Sequence, residues 1–174
     1  MKIYLVSAIW SLCEATFFFV VPDIWLTMIA KDNLRKALIA SLYSLFAALI
    51  GGSIWYFISV HFGEEYAFVM MDKMPKTNLE QVKEAQQNLE ASGFWAMMTS
   101  PWVGTPYKLY SVTANSMDIE YWKFMLYSIP SRLTRFIILV LVTHFTIKFL
   151  EFLGLKIHRL IFVLFGWIIF YAYI

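Results

Sequence analysis

Residues 37–61, ALIASLYSLFAALIGGSIWYFISVH, run for 25 positions without an aspartate, glutamate, lysine or arginine. A helix of that length rises about 38 Å, enough to cross a hydrocarbon core of about 30 Å, so the run is read as a transmembrane helix. Composition agrees, because only 15% of the chain is charged and 60% is hydrophobic. A soluble domain carries about 25% charged residues. The surface therefore faces lipid, and the chain is expected to be an all-α integral membrane protein, one membrane domain over residues 1–174.

Within this helix Ser44, Ala48, Gly51 and Gly52 fall near one face at spacings of three and four. Small residues in that pattern let a second helix approach closely, so Gly51 and Gly52 are candidates for helix packing. A simple abundance of glycine and alanine in membrane helices is the plainer explanation.

The segments on either side behave differently. Residues 3–30 are apolar, yet Glu14, Pro22 and Asp23 interrupt them. One straight helix of that length would measure about 42 Å, set Glu14 near the costly bilayer centre and lose a backbone bond at Pro22. A re-entrant hairpin, unwound near Phe19 to Asp23 and returning to its starting side, fits better than a single crossing. Residues 93–117 repeat the theme, with Pro101, Gly104 and Pro106 as breakers, and are expected to form a second re-entrant hairpin; an interfacial loop is the alternative.

Residues 119–147 make a further apolar helix, interrupted by Pro130 and by Arg132 and Arg135, which are three apart and share a face. Two guanidinium groups near mid-depth require either snorkelling or a polar cavity. Residues 157–174 supply a final apolar segment near the lower limit for spanning, with His158 and Arg159 suited to one interface and Tyr171 and Tyr173 to the other. Such short segments often pack on partners, so a homo-oligomer is an open expectation.

Residues 62–92 form the one long polar connection, with six acidic residues against three lysines. Thr77, with Glu80 three residues on, is expected to cap a short helix there, lying on the bilayer or in water. The remaining short connections carry Lys2, Lys31, Arg35, Lys36, Lys148, Lys156 and Arg159. If each hairpin returns to its own side, all seven lie together, and the positive-inside bias makes that side, with the N-terminus, cytoplasmic. The two hairpins then enter from opposite faces, an inverted repeat of the kind transporters use.

Several chemistries are disfavoured. The single cysteine, Cys13, forms no internal disulfide, and His61, His144 and His158 show no metal-ligand spacing, so neither metal nor soluble cofactor is expected. A net charge of +2, dispersed along the chain, offers no track for nucleic acid. Lipid phosphatase or transferase chemistry would call for clustered His, Asp and Arg, and the histidines are scattered, so an enzyme is not expected.

The run EATFFFVVPD from Glu14 to Asp23, IGGSIWY from Ile50 to Tyr56, TPYKLY from Thr105 to Tyr110 and SRLTRF from Ser131 to Phe136 together resemble the DedA superfamily, also called SNARE-associated or VTT-domain proteins. The likeness covers about residues 10–147 and is greatest to the small YqaA-like branch. It implies two opposed re-entrant hairpins and movement of lipids across a membrane, with bacterial members linked to undecaprenyl phosphate recycling and proton-dependent physiology. By this resemblance Glu14 and Asp23 align with acidic hairpin positions, and Arg132 and Arg135 with a basic pair. Asp23 directly follows Pro22, without the small residue often found between them, and Ala114 and Asn115 stand where an Ala-Gly pair is common.

The implied function is a transporter or flippase of phosphorylated lipids, such as polyprenyl phosphate or phospholipid, in the bacterial inner membrane. Arg132 and Arg135 would bind phosphate as planar donors. Lys108 either lines the same path or snorkels to headgroups. Glu14 and Asp23 are proton-coupling candidates, because burial and a neighbouring arginine act oppositely on a carboxylate's ionisation; a structural ion pair is the plainer role. Trp95, Trp102, Tyr107 and Tyr110 would guide an isoprenoid tail or anchor at the interface. The alternatives are a non-transporting assembly or scaffold protein and a membrane-embedded lipid-modifying enzyme.

Overall fold

The structure is a computed structural model that describes residues 1–155 and 158–173, excluding the side chain of Tyr173. Among these residues the architecture is entirely helical. The helices are α1 (Lys2–Thr16), α2 (Asp23–Ala30), α3 (Leu34–Phe62), α4 (Glu64–Asp72), α5 (Leu79–Ser92), α6 (Phe94–Val103), α7 (Tyr107–Ser116), α8 (Tyr121–Phe152) and α9 (Arg159–Tyr173). Lys156, Ile157 and Ile174, which belong to the expected final connection and segment, lie outside the described residues.

The apolar run at 37–61 lies in α3, which begins three residues earlier because the Asn33 side chain accepts a bond from the Lys36 N–H at 2.9 Å. Residues 3–30 are not one helix. The Trp25 indole donates to the Ile3 carbonyl at 3.4 Å and the Trp10 indole to Val20 at 3.0 Å. In a continuous helix Ile3 and Trp25 would stand about 33 Å apart. The chain therefore doubles back, unwinding after Thr16 and resuming at Asp23, slightly earlier than the expected stretch from Phe19 to Asp23.

In the second broken segment, Gly104 ends α6 in the left-handed conformation at φ 92°, and Pro106 leads into α7 from an extended one. Pro101 is not at this break, as expected of it, but inside α6. A proline there leaves the carbonyl four residues back without its helical donor. That carbonyl, Met97, accepts instead from the Ser131 hydroxyl of α8 at 2.6 Å. The proline thus exposes an acceptor that ties α6 to α8. Pro130 likewise does not interrupt the arginine-bearing helix, and α8 runs on past 147 to Phe152.

The polar connection holds two helices rather than one. Asn78, not Thr77, caps α5, exchanging bonds with Gln81 in a capping box, while the Thr77 hydroxyl turns back to the Met71 carbonyl. Leu79 is exposed, and α5 buries Val82, Ala85 and Leu89 against α6 and α7. It covers the second broken segment with this face.

Packing centres on α3 and α8. α1 lies along α3, α7 also packs on α3, and α2 and α6 pack on α8. Gly51 and Gly52 permit two of these approaches. A Cβ on Gly51 would fall 2.6 Å from the Ala15 Cβ of α1, and one on Gly52 would fall 2.8 Å from the Tyr107 ring of α7. One apolar cluster surrounds α7 and includes Trp55, Tyr110 and Phe124. A second joins α2, α3 and α8 through Leu26, Ala37, Ala40, Phe136 and Val140. Along α8, Ser128, Ser131 and Arg132 lie between Phe124 and Phe136, where the two clusters leave room for polar side chains.

Candidate functional site

Arg132 and Arg135 project from one face of α8 toward the first broken segment. The Arg132 guanidinium meets Glu14, at the end of α1, in a two-pronged contact: Nη2 pairs with Oε2, and Nη1 lies 3.4 Å from Oε1. Tyr107 and Phe136 place their rings 4.8 and 5.3 Å from its central carbon, so cation-π attraction and exclusion of solvent act together. The Tyr107 hydroxyl donates to Ser128 Oγ at 2.9 Å, and Ser128 donates to the Phe124 carbonyl at 2.8 Å, fixing the ring beneath the arginine.

Three residues on, Arg135 Nε donates to Asp23 Oδ2 at 2.8 Å and Nη2 lies 2.7 Å from the same oxygen. Its Nη1 donates to the Pro101 carbonyl at 3.0 Å. Asp23 occupies the first turn of α2, where free backbone N–H groups favour a carboxylate. One arginine thereby links α2, α6 and α8. Arg132 Nε and Asp23 Oδ1 are buried without a protein partner.

Lys108, in the first turn of α7, is only 3% exposed, and its Nζ donates to the Phe18 carbonyl at 3.3 Å. It does not reach out to headgroups; it joins the two breaks. Further bonds to the first break come from Trp55 on the Thr16 carbonyl, Trp10 on the Val20 carbonyl and the Tyr171 hydroxyl, which accepts the Val21 N–H at 3.1 Å. Irregular backbone in an apolar setting requires such partners.

Glu14, Asp23, Lys108, Arg132 and Arg135 are thus brought together, with Pro22 setting the start of α2 and Pro106 that of α7. The suggested aromatic group is divided: Tyr107 and Tyr110 are buried, while Trp95 and Trp102 are exposed. Ser128 and Ser131 complete the site and were missed from sequence, although they share the arginine face of α8 at spacings of three and four.

The family model described as the VTT domain matches residues 15–145. The chain belongs to the VTT-domain family. This match includes Asp23, Lys108 and both arginines, begins one residue after Glu14 and ends before α9. VTT-domain proteins are membrane proteins, and here α3 and α8 are each long and apolar enough to cross a bilayer. No curated protein and no solved structure matches this VTT-domain chain.

Proposed function

We propose that this VTT-domain protein moves phosphorylated lipids, such as polyprenyl phosphate or phospholipid, between leaflets of the bacterial inner membrane without covalent chemistry. The observation that carries this reading is the buried charge at the breaks. Three basic side chains, Lys108, Arg132 and Arg135, face two carboxylates, Glu14 and Asp23, leaving one positive charge over in their ordinary ionic forms. An apolar region holds such an excess at a large cost unless an anion joins it. A phosphate headgroup supplies that anion, and the family's general association with membrane transport supports movement rather than storage.

In this reading α3 and α8 cross the membrane, and both broken segments are re-entrant from opposite faces. The pattern of packing supports an inverted repeat, because α1 rests on α3 as α6 rests on α8, while α7 and α2 exchange to the opposite long helix. The N-terminus and the turn at Lys31 to Lys36 lie on the cytoplasmic side. Glu14 and Asp23 release their arginines on protonation, coupling headgroup binding to protons.

A non-transporting assembly protein is the second reading, favoured by the closure of Arg132 against Glu14 with almost no exposure. Purified protein in liposomes with fluorescent polyprenyl phosphate separates the two. Transport gives protein-dependent movement between leaflets that falls at least tenfold in Lys108→Met. Movement no faster than in protein-free liposomes would leave the assembly reading. Unchanged movement in the double variant Glu14→Gln, Asp23→Asn would remove the proton coupling.

A further inference from the structure

The helix beyond the family match covers the charged site from one side but hardly touches it. Among the described residues of α9, Val163 alone is buried. Between α9 and the bundle lies a cleft of about 480 Å³, whose walls include Phe162, Gly166 and Phe170 of α9, Trp102 of α6 and Leu139 of α8, with Arg135 also lining it. This volume falls within the range of small-ligand sites, about 300–1,000 Å³. The lining is apolar apart from Thr27, Thr143 and Arg135.

What holds α9 in place is polar. Trp167 donates to the Thr27 hydroxyl at 2.8 Å, Tyr171 accepts from the Val21 N–H at 3.1 Å, and Arg159 bonds Glu151 at 2.7 Å. In a bilayer an apolar helix face gains little by exchanging lipid for protein. Arg159 also reaches the Lys31 carbonyl at 3.5 Å and Asp32 at 3.6 Å, and among the described residues displacing α9 costs chiefly these polar contacts. At most three of the five N–H groups of Arg135 are engaged by Asp23 and Pro101, which leaves donors for an anion beside an apolar channel.

We propose that this cleft holds the hydrocarbon chain of an anionic membrane lipid, with Arg135 at its polar end and α9 as a wall that swings outward to admit the chain sideways from the bilayer. A lipid is the occupant because the cleft pairs a long apolar lining with a single cationic end. The inference rests on the transport reading for the kind of headgroup, and places the lipid's tail and its way in.

The test uses full-length protein in nanodiscs and hexadecyl phosphate carrying a diazirine in its chain, with the matching hexadecanol as the uncharged arm and labelled peptides mapped by mass spectrometry. The phosphate probe is expected to label the α9 face containing Phe162 and Phe170 and the α8 stretch near Leu139, at least tenfold above the alcohol. A Cβ on Gly166 meets nothing within 4 Å, so Gly166→Leu starts its side chain in open space at the cleft wall and narrows the cleft. That variant should lose labelling at least tenfold with an unfolding temperature no lower than that of the wild type. Thr27→Val removes the Trp167 bond and should speed labelling about fivefold.

Labelling spread evenly over lipid-facing α3 and α8, equal labelling by the alcohol, or undiminished labelling of Gly166→Leu would overturn the cleft assignment. An unchanged rate in Thr27→Val would overturn the swinging wall. Cleft labelling without movement of lipid between leaflets would leave this inference standing and sink the transport reading; movement without cleft labelling would do the reverse.

Discussion

The two arginine-carboxylate pairs of α8 are alike in chemistry and unlike in surroundings. Arg132 and Glu14 are enclosed, with side chains 4% and 8% exposed and aromatic rings over the guanidinium. Asp23 is buried at 1%, but Arg135 is 12% exposed and borders the α9 cleft. A charge pair sealed on every side has exchanged water for one fixed partner, so removing either member strands the other. A pair at a cleft edge can accept a third, anionic member without rebuilding the core. Under the proposed function, the first pair is expected to weigh more on stability than the second, and the second to meet the lipid first.

Arg132→Ala should have the largest effect, about 3–5 kcal/mol of stability lost, because Glu14 is left charged and enclosed. Denaturant unfolding in detergent measures it, and a double variant with Glu14→Leu and Arg132→Met should recover most of the loss. If the double variant is as unstable as the single, the enclosed pair is not what distinguishes the two sites. Gly52→Ala comes next, at about 1–3 kcal/mol, since the new Cβ would fall 2.8 Å from the ring that shields Arg132. The same assay checks it, and an unchanged midpoint would mean that Tyr107 shifts freely.

Tyr107→Phe should cost about 1 kcal/mol, because it removes the bond to Ser128, whose hydroxyl still reaches the Phe124 carbonyl. A loss of several kcal/mol would show that the sealed pair depends on that hydroxyl. The smallest effect belongs to the open side. Trp167→Phe removes the bond to Thr27 and should lower stability by no more than about 1 kcal/mol, measured by thermal unfolding. A larger loss would make α9 part of the core and erase the contrast between the pairs.

The elements most legible in sequence are those encoded by run length and charge. The 25-residue run announces α3, and the spacing of Arg132 and Arg135 announces a shared face, because both depend on helical geometry alone. The doubling back of residues 3–30 was legible from Glu14, Pro22 and Asp23. Pro101 was misplaced because its accommodation depends on Ser131, a tertiary partner 30 residues away that local pattern does not reveal. The cap at Asn78 was missed by one position, as adjacent Thr and Asn satisfy the same local rule and the Gln81 side chain decides between them. Sequence leaves Lys108 between two roles, because the Phe18 carbonyl that its Nζ meets is 90 residues away and comes into reach only when both breaks are in place.

The central claim is that an anionic lipid is handled at the open pair. Its most direct test is the rate of polyprenyl phosphate movement between leaflets in liposomes containing Arg135→Ala, with Arg135→Lys alongside and unfolding midpoints measured on the same preparations. The account predicts at least a tenfold loss in the alanine variant, partial recovery in the lysine variant and a smaller stability loss than Arg132→Ala. Wild-type movement in a folded Arg135→Ala protein would contradict it.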